Sequence, residues 1–489
     1  MYKREIKMNV DNNQEAILIH GFPALRIDDG NRLLFLPYQK AFLKMKHQDF
    51  SNRLTVNSLK NDGFFEFPET KTNINMKRIV MTLTKQCNLY CKYCFAKCGP
   101  EEKEEMSPET AIKIIRDIIK DNSIERVHFT GGEPTLNLKT LKAIVEFFEN
   151  ARTNPMPVFY ITTNGVMPSA IIKWLVSKQF AFSVSWDGFD NDIDNKQRAY
   201  FGGAKSEDKT RNTILHIVDA VLPLRVRMTV SKINLPHIFE SVKWLVDNGV
   251  KFIHMDPIVP DGRGEEFIRN YGISMTEFLD VFFSVLELAE ENGIWLLNSA
   301  LSNLYTPQDY YCTSIKDEIC HFNPDGSISY CYRIQSHKDN LSDRFIVGDF
   351  KEGRREIDSV KSSRLSSTSV SKFPDCINSA FKHFYSGGCP LRNILASGNF
   401  NIVDKDAMKT SEEFYKRAIL HVYARALEGK GSSLEGYLQF YKNLVPKEYL
   451  PIKTELHNKE ITSNYIEQIP IPMTPMPQNV DIDACDICV

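Results

Sequence analysis

The chain has 489 residues, 42% of them apolar and 25% charged, with a formal net charge of −2. That apolar share is enough for globular cores and excludes a disordered chain, and the near-balanced charge excludes nucleic acid or an anionic membrane as an expected partner. No run approaches the roughly 18 apolar residues of a membrane span. The opening MYKREIKMNVDNNQE lacks an apolar signal core, so a cytoplasmic setting with reduced thiols is expected.

Taken in chain order, residues 1–74 carry short β-like runs at Ala16–Ile19, Ala24–Ile27 and Arg32–Leu36. They predict a small β-rich module that could read a peptide or leader. Residues 75–300 alternate between strand and helix patterns. The expected strands are Arg78–Leu83, Val127–Phe129, Val158–Ile161, Phe182–Ser185, Arg225–Val230 and Phe252–Met255. Helical patterns lie between them, the first opening on Ser107-Pro108-Glu109, a Ser cap before a first-turn Pro. Six such parallel βα units, rather than eight, predict an α/β fold with an open, partial (β/α)6 barrel and ligands at the C-terminal ends of its strands. Residues 301–405 read as a loop-rich domain holding five cysteines. Residues 406–489 read as two helices followed by a Pro-rich tail, with Ile469–Gln478 as an extended linker toward Cys485 and Cys488.

The eleven cysteines are clustered, which in a reducing compartment indicates metal ligands or redox groups rather than disulfides. Cys87, Cys91 and Cys94 form a C-x3-C-x2-C run just after the first barrel strand. Three thiolates can hold three irons of a [4Fe–4S] cube and leave the fourth iron open to the amino and carboxylate groups of a small ligand. A zinc site would recruit Cys98 as fourth ligand, at a spacing unusual for zinc.

These cysteines, with Tyr93 before the third and Thr130-Gly131-Gly132-Glu133-Pro134 after the second strand, resemble the radical S-adenosylmethionine (SAM) superfamily. More narrowly they resemble its peptide-maturing branch with a SPASM/twitch extension. The resemblance covers about residues 76–400. It implies that Gly131, Gly132 and Glu133 meet the SAM amino group, and that Asn164, Ser185 and Arg198 meet its ribose, methionine and carboxylate portions. In the Asp194–Arg198 stretch the Arg alone matches cleanly. Ile258–Gly264 is similar to the family's last barrel loop.

The resemblance also implies that Cys312, Cys320, Cys331 and Cys389 hold one auxiliary [4Fe–4S] cluster. Tyr385 and Ser379 replace cysteines of a second auxiliary cluster, leaving Cys376 as a remnant. Tyr332 replaces the aspartate base of sulfatase maturases, which argues against that activity, since a phenol of ordinary pKa is a poor base at neutral pH. The implied function is radical modification of a ribosomally made peptide or protein side chain, giving a crosslink, thioether or epimer, with an external low-potential electron donor. The alternatives are tailoring of a tetrapyrrole or quinone cofactor, or a non-catalytic iron–sulfur or zinc scaffold.

Overall fold

The computed structural model describes residues 16–28, 30–46, 59, 60, 65, 76–151, 153, 156–188, 197–312, 319–436 and 467–474. The chain divides into two compact units. One comprises Met1–Lys71, Ala300–Cys312 and Ser369–Pro475; the other comprises Thr72–Ser299, Thr313–Thr368 and Met476–Val489. Among the described residues no helix is long and apolar enough to cross a membrane.

The first unit holds strands β1 (Ala16–Ile19), β2 (Phe22–Arg26), β3 (Asn31–Leu36) and β4 (Ala41–Lys46), which pair antiparallel in that order. The β2–β3 turn is tied by the Asp28 carboxylate, which accepts from the backbone N–H of Gly30 and Asn31 at 2.8 and 2.7 Å. Side chains of opposite parity on β3 and β4 are buried on opposite faces. Leu34, Leu36, Leu43 and Met45 join one core, while the Phe35 and Phe42 rings meet Tyr305 and Tyr423. Two buried faces account for the nearly continuous apolar run of β3.

The Pro-rich segment departs from the expected linker. Glu467–Pro470, which overlaps it, pairs antiparallel with β4 as a fifth strand, and Ile471 N donates to Lys40 O at 2.7 Å. Ile469 and Ile471 are buried, so they anchor this stretch although its prolines lack donors. The long helix Lys405–Leu427 is capped by the Asp404 carboxylate. The second expected helix shows a 3-10 turn at Ser433–Gly436, and the remainder of it lies outside the described residues, as do Cys485 and Cys488.

The second unit is built on a large mixed sheet of eleven strands among the described residues. The strands that matter for the site, numbered onward from β4, are β5 (Arg78–Thr84), β6 (Arg126–Gly131), β7 (Val158–Thr163), β8 (Ala181–Ser185), β9 (Leu224–Val230) and β10 (Phe252–Pro257). They lie in sequence order, each parallel to the next. Helices fill the connections as expected, including α1 (Pro108–Ile118), where Ser107 Oγ accepts from Thr110 N at 3.1 Å.

Two short flanking strands escaped the sequence reading. Trp295–Leu297 pairs parallel with β10, and Ile319–Phe322 pairs parallel with β5 and starts an antiparallel run through Ile357. Stretches of three or four residues carry too little periodicity to be recognised.

The parallel strands present two chemically different faces. Ile79, Met81, Val127, Phe129, Phe159, Ile161, Val226 and Met228 form an apolar layer. The alternate positions carry His128, Tyr160, Ser183, Arg225, Arg227 and His254, all buried, with Asp256 half-buried after them. One side of this sheet is therefore a hydrophobic core and the other a polar surface that ends at the strands' C-terminal tips.

Candidate functional site

The loop after β5 carries the first cysteines, and hydrogen bonds hold its backbone on several sides. Cys87 N donates to Gly99 O at 3.0 Å, Tyr90 N to Ala199 O at 2.8 Å and Lys92 N to Gln197 O at 2.9 Å. Cys87 and Cys98 are buried together with Leu89 and Val166, and Cys91, Cys94 and Tyr200 pack against them. Cys87 Sγ accepts from Leu89 N at 3.4 Å and from Asn164 Nδ2 at 3.6 Å.

Burial pushes the Cys87 thiol well up and Cys91 up to about 11, the nearby Arg198 opposing the latter shift. Cys94 is lowered, chiefly by a hydrogen bond from the Cys98 thiol. No group of three or more His, Cys, Asp or Glu side chains among the described residues closes around a single metal ion. A four-iron cube holds its thiolates farther apart than one tetrahedral ion does. Three thiols in one cradle, with N–H groups aimed at a sulfur, suit such a cube.

The Gly-Gly-Glu segment at the end of β6 is pressed backbone to backbone against this loop. Gly132 N donates to Thr84 O at 2.7 Å and Glu133 N to Gln86 O at 2.9 Å. A Cβ on Gly131 would lie 2.2 Å from Thr84 O, and one on Gly132 would lie 2.3 Å from Gln86 O. The glycines are required because another stretch of backbone occupies the space a side chain would take.

Glu133 is fully buried, which raises its pKa against the pull of its hydrogen bonds. Its carboxylate accepts from Thr135 N at 3.1 Å, Thr135 Oγ1 at 2.7 Å, Thr163 Oγ1 at 2.9 Å and Asn164 N at 2.8 Å. It thus ties the ends of β6 and β7 together. Asn164 in turn donates from Nδ2 to Asn88 Oδ1 at 2.8 Å, so the β7 end grips the cysteine loop directly.

A second network joins the loop to β8. Tyr93 OH donates to Asp187 Oδ2 at 2.5 Å and accepts from Arg198 Nη1 at 2.9 Å. Asp187 is buried, also accepting from Gln197 Nε2 and Thr229 N, each at 2.9 Å. Burial raises its pKa, with Arg198 the main opposing influence. The structure therefore gathers Cys87, Cys91, Cys94, Gly131, Gly132, Glu133, Asn164 and Arg198 at adjacent strand ends. Ser185 closes β8 half-buried, beside Arg227 in the parallel pairing.

Sequence reading missed Asp187, Asn88 and the Arg227–Asp256–His254 cluster. Its signal was present as charges at alternate positions inside strands, in LRVRMTV and FIHMDP. Asp256 accepts from Arg227 Nη2 at 3.2 Å and hydrogen-bonds His254 Nε2 at 2.9 Å.

Burial lowers the His254 pKa from 6.5 to about 4, although Asp256 pulls the other way. The unfolded chain then binds more protons than the folded one between pH 6.5 and 4, so stability falls as pH drops through that window. Acidification from pH 7 to 5 is expected to cost roughly 2 kcal/mol through this residue. Denaturant unfolding at both values should show a slope that His254→Gln flattens.

The later cysteines fall in both units. Cys320 is a buried strand residue and Cys331 follows the hairpin at Gly326, which takes positive φ; both belong to the second unit. Tyr332 stacks edge-on with Phe95 of the cysteine loop at 5.4 Å. Cys312 and Cys389 belong to the first unit, where three successive positive-φ residues, Ser386, Gly387 and Gly388, lead into Cys389. Cys376 is buried with its sulfur 3.7 Å from that of Met408, and burial raises it to about 12.

Residues 81–269 match the Radical SAM superfamily. These residues form a radical SAM domain on an α/β fold with a large mixed sheet, and enzymes of that superfamily use SAM and a [4Fe–4S] cluster as cofactors. Over 274 residues the chain is 27% identical to Uncharacterized protein MJ0907 of Methanocaldococcus jannaschii, spanning 55% of this chain and 90% of that one. Over 203 residues it is 28% identical to Sporulation killing factor maturation protein SkfB of Bacillus subtilis, 41% of this chain and 47% of that protein. The solved structure of native anSMEcpe with bound AdoMet matches 71% of this chain and 98% of its own at a TM-score of 0.57 and 15% identity, a likeness of fold.

Proposed function

We propose that this enzyme modifies a peptide or protein side chain, using a [4Fe–4S] cluster on Cys87, Cys91 and Cys94. The observation that carries the reading is the joining of the cysteine loop to Gly131–Glu133 and Asn164 at adjacent strand ends. The similarity to SkfB, a maturation protein by name, supports a peptide substrate. When bound, the cluster and SAM supply a 5′-deoxyadenosyl radical that removes hydrogen from a substrate carbon.

The chain's own residues bind and orient. Gly131 and Gly132 offer backbone to the SAM ammonium, and Glu133 holds them in place while adding negative charge beneath. Asn164, Ser185 and Arg198 border the remainder of SAM, with Arg198 steadied by Tyr93. The parallel strands β5–β10 act as a partial (β/α)6 barrel spanning residues 75–300, whose polar face receives the substrate.

Residues 301–405 act as a SPASM-like extension in which Cys312, Cys320, Cys331 and Cys389 hold one auxiliary [4Fe–4S] cluster. The packing of Cys376 on Met408 supports its role as an ordinary buried thiol. Residues 1–74 serve as a leader-binding module, and residues 406–489 add helix and tail. Reducing equivalents come from an external low-potential donor in a cytoplasmic setting.

The test is anaerobic incubation with SAM, dithionite and the peptides encoded by small reading frames beside the gene. A SAM-dependent mass change in one of them is expected. Mass change in a tetrapyrrole or quinone instead, with every peptide untouched, would overturn the peptide reading.

A further inference from the structure

The loop after β10 reaches back onto the cysteine loop through one residue. Arg263 Nε donates to Cys91 O at 2.8 Å and its Nη2 to Cys98 O at 2.8 Å. Its backbone N donates to Cys94 O at 3.0 Å, and its guanidinium lies 4.0 Å from the centre of the Tyr90 ring. Backbone, fork and ring contact thus fasten three carbonyls of the segment that carries the thiols.

The neighbours of Arg263 permit this approach. A Cβ on Gly262 would lie 2.2 Å from Phe95 O, and Gly262 has φ +59. Asp261 accepts from Arg333 Nη1 at 3.3 Å, which holds the loop from its other side.

We propose that Arg263 is a positioning residue for the SAM-binding cluster. Its planar fork fixes the separation of the Cys91 and Cys98 backbones, a geometry an ammonium cannot reproduce. Its permanent positive charge, held within the cysteine loop, favours the reduced cluster, which carries one more negative charge than the oxidised one. The inference rests on the reading of Cys87, Cys91 and Cys94 as ligands.

The experiment compares wild type, Arg263→Gln and Arg263→Lys after anaerobic reconstitution. Iron content, the rate of iron loss to a chelator and the cluster midpoint potential are measured, the last by redox titration followed by electron paramagnetic resonance. Arg263→Gln should shift the midpoint negative by enough to cut the reduced-to-oxidised ratio at least tenfold at fixed potential, about 59 mV for a one-electron couple. Arg263→Lys should recover most of that potential yet lose iron several-fold faster than wild type. A glutamine variant with wild-type potential would overturn the proposal. Should that variant fail to fold, a lysine variant with wild-type chelator resistance would overturn it equally. Wild type that binds no iron would instead overturn the ligand reading.

Discussion

Replacing Cys87, Cys91 and Cys94 together with Ala is expected to abolish reductive cleavage of SAM while leaving the fold intact. A free cysteine in an apolar setting behaves as a small hydrophobe, so the exchanges remove one sulfur each from buried Cys87 and half-buried Cys91 and Cys94, at a site where Leu89 and Val166 maintain the packing. The cost in stability should be about 1 kcal/mol per site. The cost in chemistry should be complete if, as proposed, the three thiolates are the protein's hold on the cluster. Reconstituted wild type should carry about eight irons, two cubes, and the triple variant about four, retained by the auxiliary cysteines. Formation of 5′-deoxyadenosine by the triple variant under dithionite would refute the assignment. Wild type with about four irons would remove the auxiliary cluster, and about twelve would require a third.

Gly132→Ala is expected to be among the most damaging single methyl additions in the domain. The added carbon would sit 2.3 Å from Gln86 O and 2.7 Å from Lys85 O. Both obstacles are backbone, and the segments are already clasped by Gly132 N to Thr84 O and Glu133 N to Gln86 O. Relief requires the β6 end to move off the cysteine loop, breaking these bonds and disturbing Glu133. A destabilisation of about 3 kcal/mol or more follows, with SAM affinity lost in whatever fraction still folds. Thermal or denaturant unfolding checks it; a change within ~0.5 kcal/mol would mean that the two backbones are not locked.

The parallel core was legible because its strands are apolar runs separated by helices with recognisable caps, as at Ser107 and Pro108. The cysteine loop and Gly-Gly-Glu were legible because their chemistry leaves few substitutes. The role of the glycines was not, since sequence shows small residues and not which backbone fills the space beside them. Asp187 lies ninety-odd positions from Tyr93, and Arg263 is 172 residues from Cys91. Contacts at such separations have no local signature. Pro470 read as part of a linker because proline lacks a donor, yet the register with β4 buries the isoleucines on either side of it.

The most direct test of the account is isotope transfer. The peptide that gains a SAM-dependent mass change is prepared with deuterium at every carbon and incubated with enzyme, SAM and reductant. Deuterium is expected in the 5′-deoxyadenosine, because the radical must take its hydrogen from a substrate carbon. 5′-Deoxyadenosine formed at the same rate without deuterium would contradict hydrogen abstraction from the peptide while leaving SAM cleavage standing.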